Sequence, residues 1–229
     1  IGNKALNLLR INRVAHTPKG FVLSMYAMKN IDDPKIQDKV MDKIRELMCD
    51  KLAIRSSHEG EDGDNSSCAG LFESFVNVDV HNRDGIIDCI KSVYYSKNSE
   101  HIGQYRNLQD GDMHVIIQEM ISADISGVIL TSNPHNGMDY IMLEYILGDL
   151  CHLMQGDVTP FISYVKKIDI LNNKQNYDEY PSIITSDIKK IMHSLIITAI
   201  ELENLFSHRV EIEWGIKGSI VYIFQVRPY

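Results

Sequence analysis

The chain has 229 residues, 44% of them hydrophobic, which is enough to bury the core of one large domain or two small lobes. Its 23 Lys and Arg against 31 Asp and Glu give a formal net charge of −8; no Lys/Arg cluster stands out, which argues against nucleic acid as a partner. The longest apolar runs, such as Ser194–Ile200, are too short to span a bilayer, and no signal-peptide pattern opens the chain.

In chain order, Asn3–Val14 reads as a short helix, His16–Gly20 as a turn and Phe21–Leu23 as a strand. Asp32-Asp33-Pro34 has the chemistry of a helix start, and Ile36, Val40, Ile44, Leu47 and Met48 follow at helical spacing. Leu52–Ser56 reads as a strand running into a polar, Gly-rich loop over Ser57–Gly70. Phe72–Val80 alternates as a strand, and Ile86, Ile87, Ile90 and Val93 mark another helix. Val115–Met120, Gly127–Thr131, Tyr140–Tyr145 and Phe161–Val165 are short apolar strands. Ser186–Phe206 is a long amphipathic helix, with Ile188, Ile191, Met192, Leu195, Leu202 and Leu205 expected inward. Two strands, Arg209–Gly215 and Ile220–Val226, close the chain around Lys217-Gly218-Ser219. The strands cluster, so hairpins fit better than regular βαβ units, and the class is α+β.

Two segments carry chemistry. In the penultimate strand Val210, Ile212 and Trp214 share one face, and Glu211 and Glu213 the other. Gln225 and Arg227 share a face of the last strand. A three-residue loop with a left-handed Gly218 would pair Glu211 with Gln225 and bring all four groups together; a two-residue turn would separate them, because a one-residue slip flips the face. Two carboxylates and an amide oxygen suit Mg²⁺ carried by a nucleotide, and a guanidinium suits phosphate. The second segment is Arg55-Ser56-Ser57, then Glu61-Asp62, then Ser66–Gly70. Its small residues let backbone N–H groups approach an anion, with Arg55 at the entry. Taken alone, each is a common pattern, since charged strand faces and Gly/Ser loops are generic. The Gly-x-x-x-x-Gly-Lys pattern is absent.

Taken together and in order, the segments resemble the N-terminal nucleotide-binding domain of phosphoenolpyruvate synthases and pyruvate phosphate dikinases, with relatives in rifampin phosphotransferases and glucan-water dikinases. The resemblance runs from residue 2 to 228. It rests on Gly2–Leu8, Pro18–Val22, Arg55-Ser56-Ser57 with Glu61-Asp62 and Ser67–Gly70, Gln118–Ile121, Ser126–Pro134, Gly148-Asp149, Gly156–Pro160, Glu211–Trp214 and Phe224–Pro228. It implies an ATP-grasp fold, with two lobes of mostly antiparallel sheet flanked by helices and a nucleotide cleft between them, here approximately 1–111 and 112–229. It further implies ATP and Mg²⁺ as cofactors. Lys4 and Arg55 would hold phosphates, Ser67, Ala69 and Gly70 would cover the β and γ phosphates, and Gln118, Glu119, Met120 and Ile121 would form the adenine pocket. Thr131 would line the cleft. Glu213 and Gln225 would bind the metal with Glu211 beside them, and Arg227 would stabilise the transferring phosphoryl group. The phosphoryl acceptor in the family is a histidine on a separate swivelling domain, which serves a further acceptor domain.

The departures are Asn3 and Ala5 in place of glycines, Cys68 in place of Phe, Leu71 in place of a frequent Gln, and Asp149 in place of Glu. None of the nine histidines has the context of the family's phosphohistidine; His58, His16, His135 and His208 read as loop-surface residues. An opening Ile1 in place of Met fits a piece of a longer protein, and a length short for such domains fits trimmed peripheral elements. Cys49, Cys68, Cys89 and Cys151 form no C-x-x-C pair, so free thiols and a cytoplasmic location are expected.

Overall fold

The computed structural model describes residues 1–59, 61, 71–98, 111–132, 139–172 and 184–229. They form two compact units: Ile1–Leu9 with Pro18–Met120, and Arg10–Thr17 with Ile121–Tyr229. The division falls after Met120 and not near 111, because the strand Met113–Glu119 is hydrogen-bonded into the first unit's sheet.

The first unit contains the start of α1 (Asn3–Ile11), β1 (Gly20–Leu23), α2 (Met25–Lys29), α3 (Pro34–Glu46), β2 (Lys51–His58), β3 (Ser74–Asp79), α4 (Arg83–Tyr95) and β4 (Met113–Glu119). The helix starts follow their caps. Asp33 accepts from the Lys35 amide at 2.9 Å ahead of Pro34, and Asn82 accepts from Gly85 at 3.0 Å. The sheet order is β1-β4-β2-β3, antiparallel throughout. One face carries Leu23, Leu52, Ile54, Val115 and Ile117, buried against Val40 and Ile44 of α3 and Ile86, Ile90 and Val93 of α4. Alternation and register put Arg55 and Ser57 of β2 with His114, Ile116 and Gln118 of β4 on the other face.

The second unit holds β5 (Ile125–Leu130), β6 (Tyr140–Leu147), α5 (Leu150–Gln155), β7 (Phe161–Lys166), α6 (Lys167–Leu171), α7 (Ser186–Phe206), β8 (Val210–Lys217) and β9 (Ile220–Pro228). The order is β7-β6-β5-β8-β9, again antiparallel. Helix α7 lies on β8 and β9, while α5 lies on β5, β6 and β8. The inward face of α7 is Met192, Leu195, Ile196, Ala199, Leu202 and Phe206. Leu205, expected inward, is exposed, because Phe206 follows Leu202 at the i+4 spacing and takes its place. No helix among the described residues is long and apolar enough to cross a membrane.

Candidate functional site

The β8–β9 ribbon turns through two residues, Gly218 and Ser219, and only Gly218 has a positive φ, +61°. That turn should have moved Gln225 and Arg227 to the face away from Glu211 and Glu213. It does not, because the pairing steps from Glu213↔Gln225 to Trp214↔Ile223 and leaves Phe224 as a bulge. The extra residue restores the parity that a two-residue turn removes. Glu213 therefore faces Gln225 and Glu211 faces Arg227, where the sequence suggested Glu211 opposite Gln225. Glu213 and Gln225 are both buried. Arg227 donates from Nε at 2.9 Å and from an Nη nitrogen at 2.6 Å to one oxygen of Glu211.

The same face extends across the sheet. Val128 and Leu130 of β5 lie opposite Glu213 and Glu211, and Glu144 and Met142 of β6 lie opposite Val128 and Leu130. With Leu153 and Met154 of α5 they line a cavity of about 310 Å³ that also reaches Glu211. The sequence had not marked this apolar-floored cavity; strand alternation in Tyr140–Tyr145 was the available signal. Two motif segments prove to be braces. Gly127 sits so close to β6 that a Cβ would overlap the Glu144 carbonyl oxygen. Ser126 Oγ donates to the Gly148 carbonyl at 2.5 Å, and the Asp149 carboxylate accepts from the Ala123 amide at 2.7 Å.

In the first unit the two serines of Arg55-Ser56-Ser57 have separate tasks. Ser57 Oγ accepts from the Ala5 amide at 3.0 Å and donates to the Ile1 carbonyl at 2.9 Å, seating the first turn of α1 on β2. Gly2, at φ +70°, permits this close approach, since a Cβ there would overlap the Ser57 carbonyl. Ser56 Oγ donates to the Glu61 carboxylate at 3.2 Å. Glu61 in turn accepts from Lys4 Nζ at 2.8 Å, and the two side chains are 5% and 6% exposed. Arg55 lies on the same face of β2 as Ser57, half-buried between Ser74 and Ile116.

The side chains of Gln118 and Glu119 hold the segment that leads into β1. Gln118 Nε2 donates to the Pro18 carbonyl at 3.5 Å, and Glu119 accepts from the Lys19 amide at 2.8 Å. Met120 is half-buried and its amide donates to Lys51, while Ile121 is buried and opens the second unit. Thr131 is fully buried, and its hydroxyl accepts from the Val210 amide at 2.9 Å, tying β5 to β8. Ser67, Ala69 and Gly70, expected to cover phosphates, lie outside the described residues, as does His135. His58 is not a loop-surface residue: it ends β2, fully buried, its ring 5.3 Å from that of Phe72, and burial pushes its imidazole below the usual histidine range. His16 and His208 are both exposed. Cys49, Cys89 and Cys151 are free thiols, and burial pushes those of Cys49 and Cys89 up.

Among the described residues no cluster of three His, Cys, Asp or Glu side chains forms a ready metal cage. The ribbon fits a cation differently. Glu213 and Gln225 present a carboxylate and an amide oxygen opposite one another, a hard-donor pair suited to an ion that brings its remaining ligands with its nucleotide.

Two antiparallel sheets with helices on their faces, in this connectivity, define an ATP-grasp fold. A crystal structure of a Pyrococcus horikoshii protein shares it at a TM-score of 0.56 and 12% identity, over 98% of this chain and 90% of that one. So does a Ca. Korarchaeum cryptofilum dinucleotide-forming acetyl-coenzyme A synthetase, solved with coenzyme A and Ca-AMPCP, at a TM-score of 0.54 and 8% identity, over 95% of this chain and 87% of that one. The chain belongs to the family of the pyruvate phosphate dikinase AMP/ATP-binding domain, whose model matches residues 31–229. It is similar to an uncharacterised Bacillus subtilis phosphotransferase, 24% identical over 99% of this chain and 33% of the relative. It is also similar to the phosphoenolpyruvate synthase of Escherichia coli, 24% identical over 85% of this chain and 30% of that protein. The chain thus spans about a third of the length of these relatives.

Proposed function

We propose that this chain is the MgATP-binding domain of a phosphotransferase that moves phosphoryl from ATP to a histidine on a separate swivelling domain. The observation that carries the reading is the bulged ribbon, which sets Glu213 against Gln225 and Glu211 against Arg227 on a face apart from the α7-covered core. Glu213 and Gln225 hold Mg²⁺, with Glu211 beside them. When bound, the ion neutralises charge on the phosphate oxygens. Lys4 and Arg55 hold phosphates, the segment Gln118–Ile121 holds adenine, and Arg227 supports the transferring group once Glu211 shares it. Ser67, Ala69 and Gly70 donate backbone N–H groups to the β and γ phosphates, and Thr131 serves as a brace of the β5 end. The swivelling and acceptor domains belong to the parent protein, and a cytoplasmic location suits an ATP-dependent reaction.

Isothermal calorimetry tests the first half. ATP should bind in the presence of Mg²⁺, and Glu213→Ala should remove the metal-dependent part while the fold is retained. A folded wild-type chain that ignores MgATP would leave a non-catalytic module of the same fold. The second half is tested on the full-length parent protein with γ- and β-labelled ATP: acid-labile, base-stable label supports a phosphohistidine, and its absence during turnover rejects one.

A further inference from the structure

Lys4 and Glu61 stand 57 positions apart, yet their side chains meet at 2.8 Å with about 95% of each hidden from solvent. A buried ammonium is costly unless a partner compensates it. The partner here is held independently of Lys4. Glu61 accepts from Ser56 Oγ at 3.2 Å and from the His58 amide at 3.4 Å, and its own amide donates to the His58 carbonyl at 3.2 Å. All these anchors sit on the last residues of β2. Ser57, between them, carries the start of α1 through the Ala5 amide. The end of β2 therefore fixes the backbone next to Lys4 through Ser57 and the tip of the side chain through Glu61. A lysine has a four-carbon stem, and without such a stay its ammonium would sample many rotamers. The bond to Glu61 uses one of its three N–H donors, which leaves donors for a second anion.

We propose that Glu61 is the positioning residue for Lys4, holding the ammonium aimed for nucleotide phosphate. This rests on the reading of Lys4 as a phosphate ligand. Glu61 itself touches no substrate. Its removal should weaken ligands that carry phosphates and spare those that do not.

The experiment measures MgATP and adenosine affinities by calorimetry for the wild type, Glu61→Gln, Glu61→Asp, Lys4→Met and the Lys4→Met/Glu61→Gln double variant, with thermal melts to establish folding. Glu61→Gln should weaken MgATP roughly ten-fold or more, the scale of coupling between residues in contact, and leave adenosine unchanged. Glu61→Asp, which keeps the charge, should recover part of the loss. In the Lys4→Met background Glu61→Gln should have no further effect on MgATP. If the Gln variant does not fold, Glu61→Asp carries the test through the same contrast between MgATP and adenosine. Wild-type MgATP affinity in folded Glu61→Gln, or an equal loss for adenosine, overturns the role while the nucleotide reading survives. A wild type that binds no MgATP overturns both.

Discussion

The two sheets use their faces in the same way and hold their charges in opposite ways. Each gives one face to an apolar core under helices, while the other carries Arg55 and Ser57 in the first unit and the Glu211–Arg227 and Glu213–Gln225 pairs in the second. In the second unit the ion pair Glu211–Arg227 joins directly opposed residues of neighbouring strands, with side chains 20% and 17% exposed. In the first, Lys4–Glu61 joins a helix to the residues after a strand, almost wholly buried. A ladder sets the ribbon pair by register, so it needs no other support. No ladder sets the buried pair; among the described residues, Ser56, Ser57 and the His58 amide hold its two members. The largest effect that tests this contrast is Lys4→Met. It leaves the Glu61 carboxylate buried without its cation, and chemical denaturation should show a loss of about 3–5 kcal/mol.

Next comes Gly127→Ala, which probes the ribbon unit through its backbone. The new Cβ would overlap the Glu144 carbonyl oxygen of the paired strand, so β5 and β6 must part. Overpacking of this kind costs about 1–3 kcal/mol, and a denaturation midpoint lowered to match would be the check. Ser57→Ala should be milder. It removes the acceptor for the Ala5 amide at the first turn of α1, a loss of about 1 kcal/mol, as for a helix cap. Amide exchange of Ala5 should accelerate while exchange along β8 and β9 stays as it was. Equal acceleration in both places would show that α1 is not seated through Ser57.

What the sequence made legible follows the same divide. Strands and long helices were readable because periodicity reports which face is buried: Ser186–Phe206 carries its 3.6-residue repeat from end to end. The helices Met25–Lys29, Leu150–Gln155 and Lys167–Leu171 were missed, since five or six residues are too few to establish a period. The register of the last ribbon was misjudged because Phe224, an aromatic with no turn signal, is the bulged residue. The chemistry at Glu211, Glu213, Gln225 and Arg227 was nevertheless visible, as alternation alone puts like-facing residues together. The Lys4–Glu61 pair was not, since its members are 57 residues apart and no local pattern joins them. Nor did the sequence show that Ser56 and Ser57 serve different partners, or that His58 is core.

The smallest effect on stability is expected at Arg227, and it separates holding a fold from serving a site. Arg227→Met leaves Glu211 one-fifth exposed, so water can take over as its partner. The ladder that positions Glu211 is backbone and remains. The stability cost should therefore be at most about 1 kcal/mol, in the range of exposed ion pairs. If Arg227 supports the transferring phosphoryl group, the same variant should lose far more in phosphoryl transfer by the parent protein than in folding. Matched urea titrations and turnover assays read the two quantities side by side. A stability loss as large as that of Lys4→Met would mean that the ribbon pair, like the buried one, is structural, and the contrast between the two faces would fail.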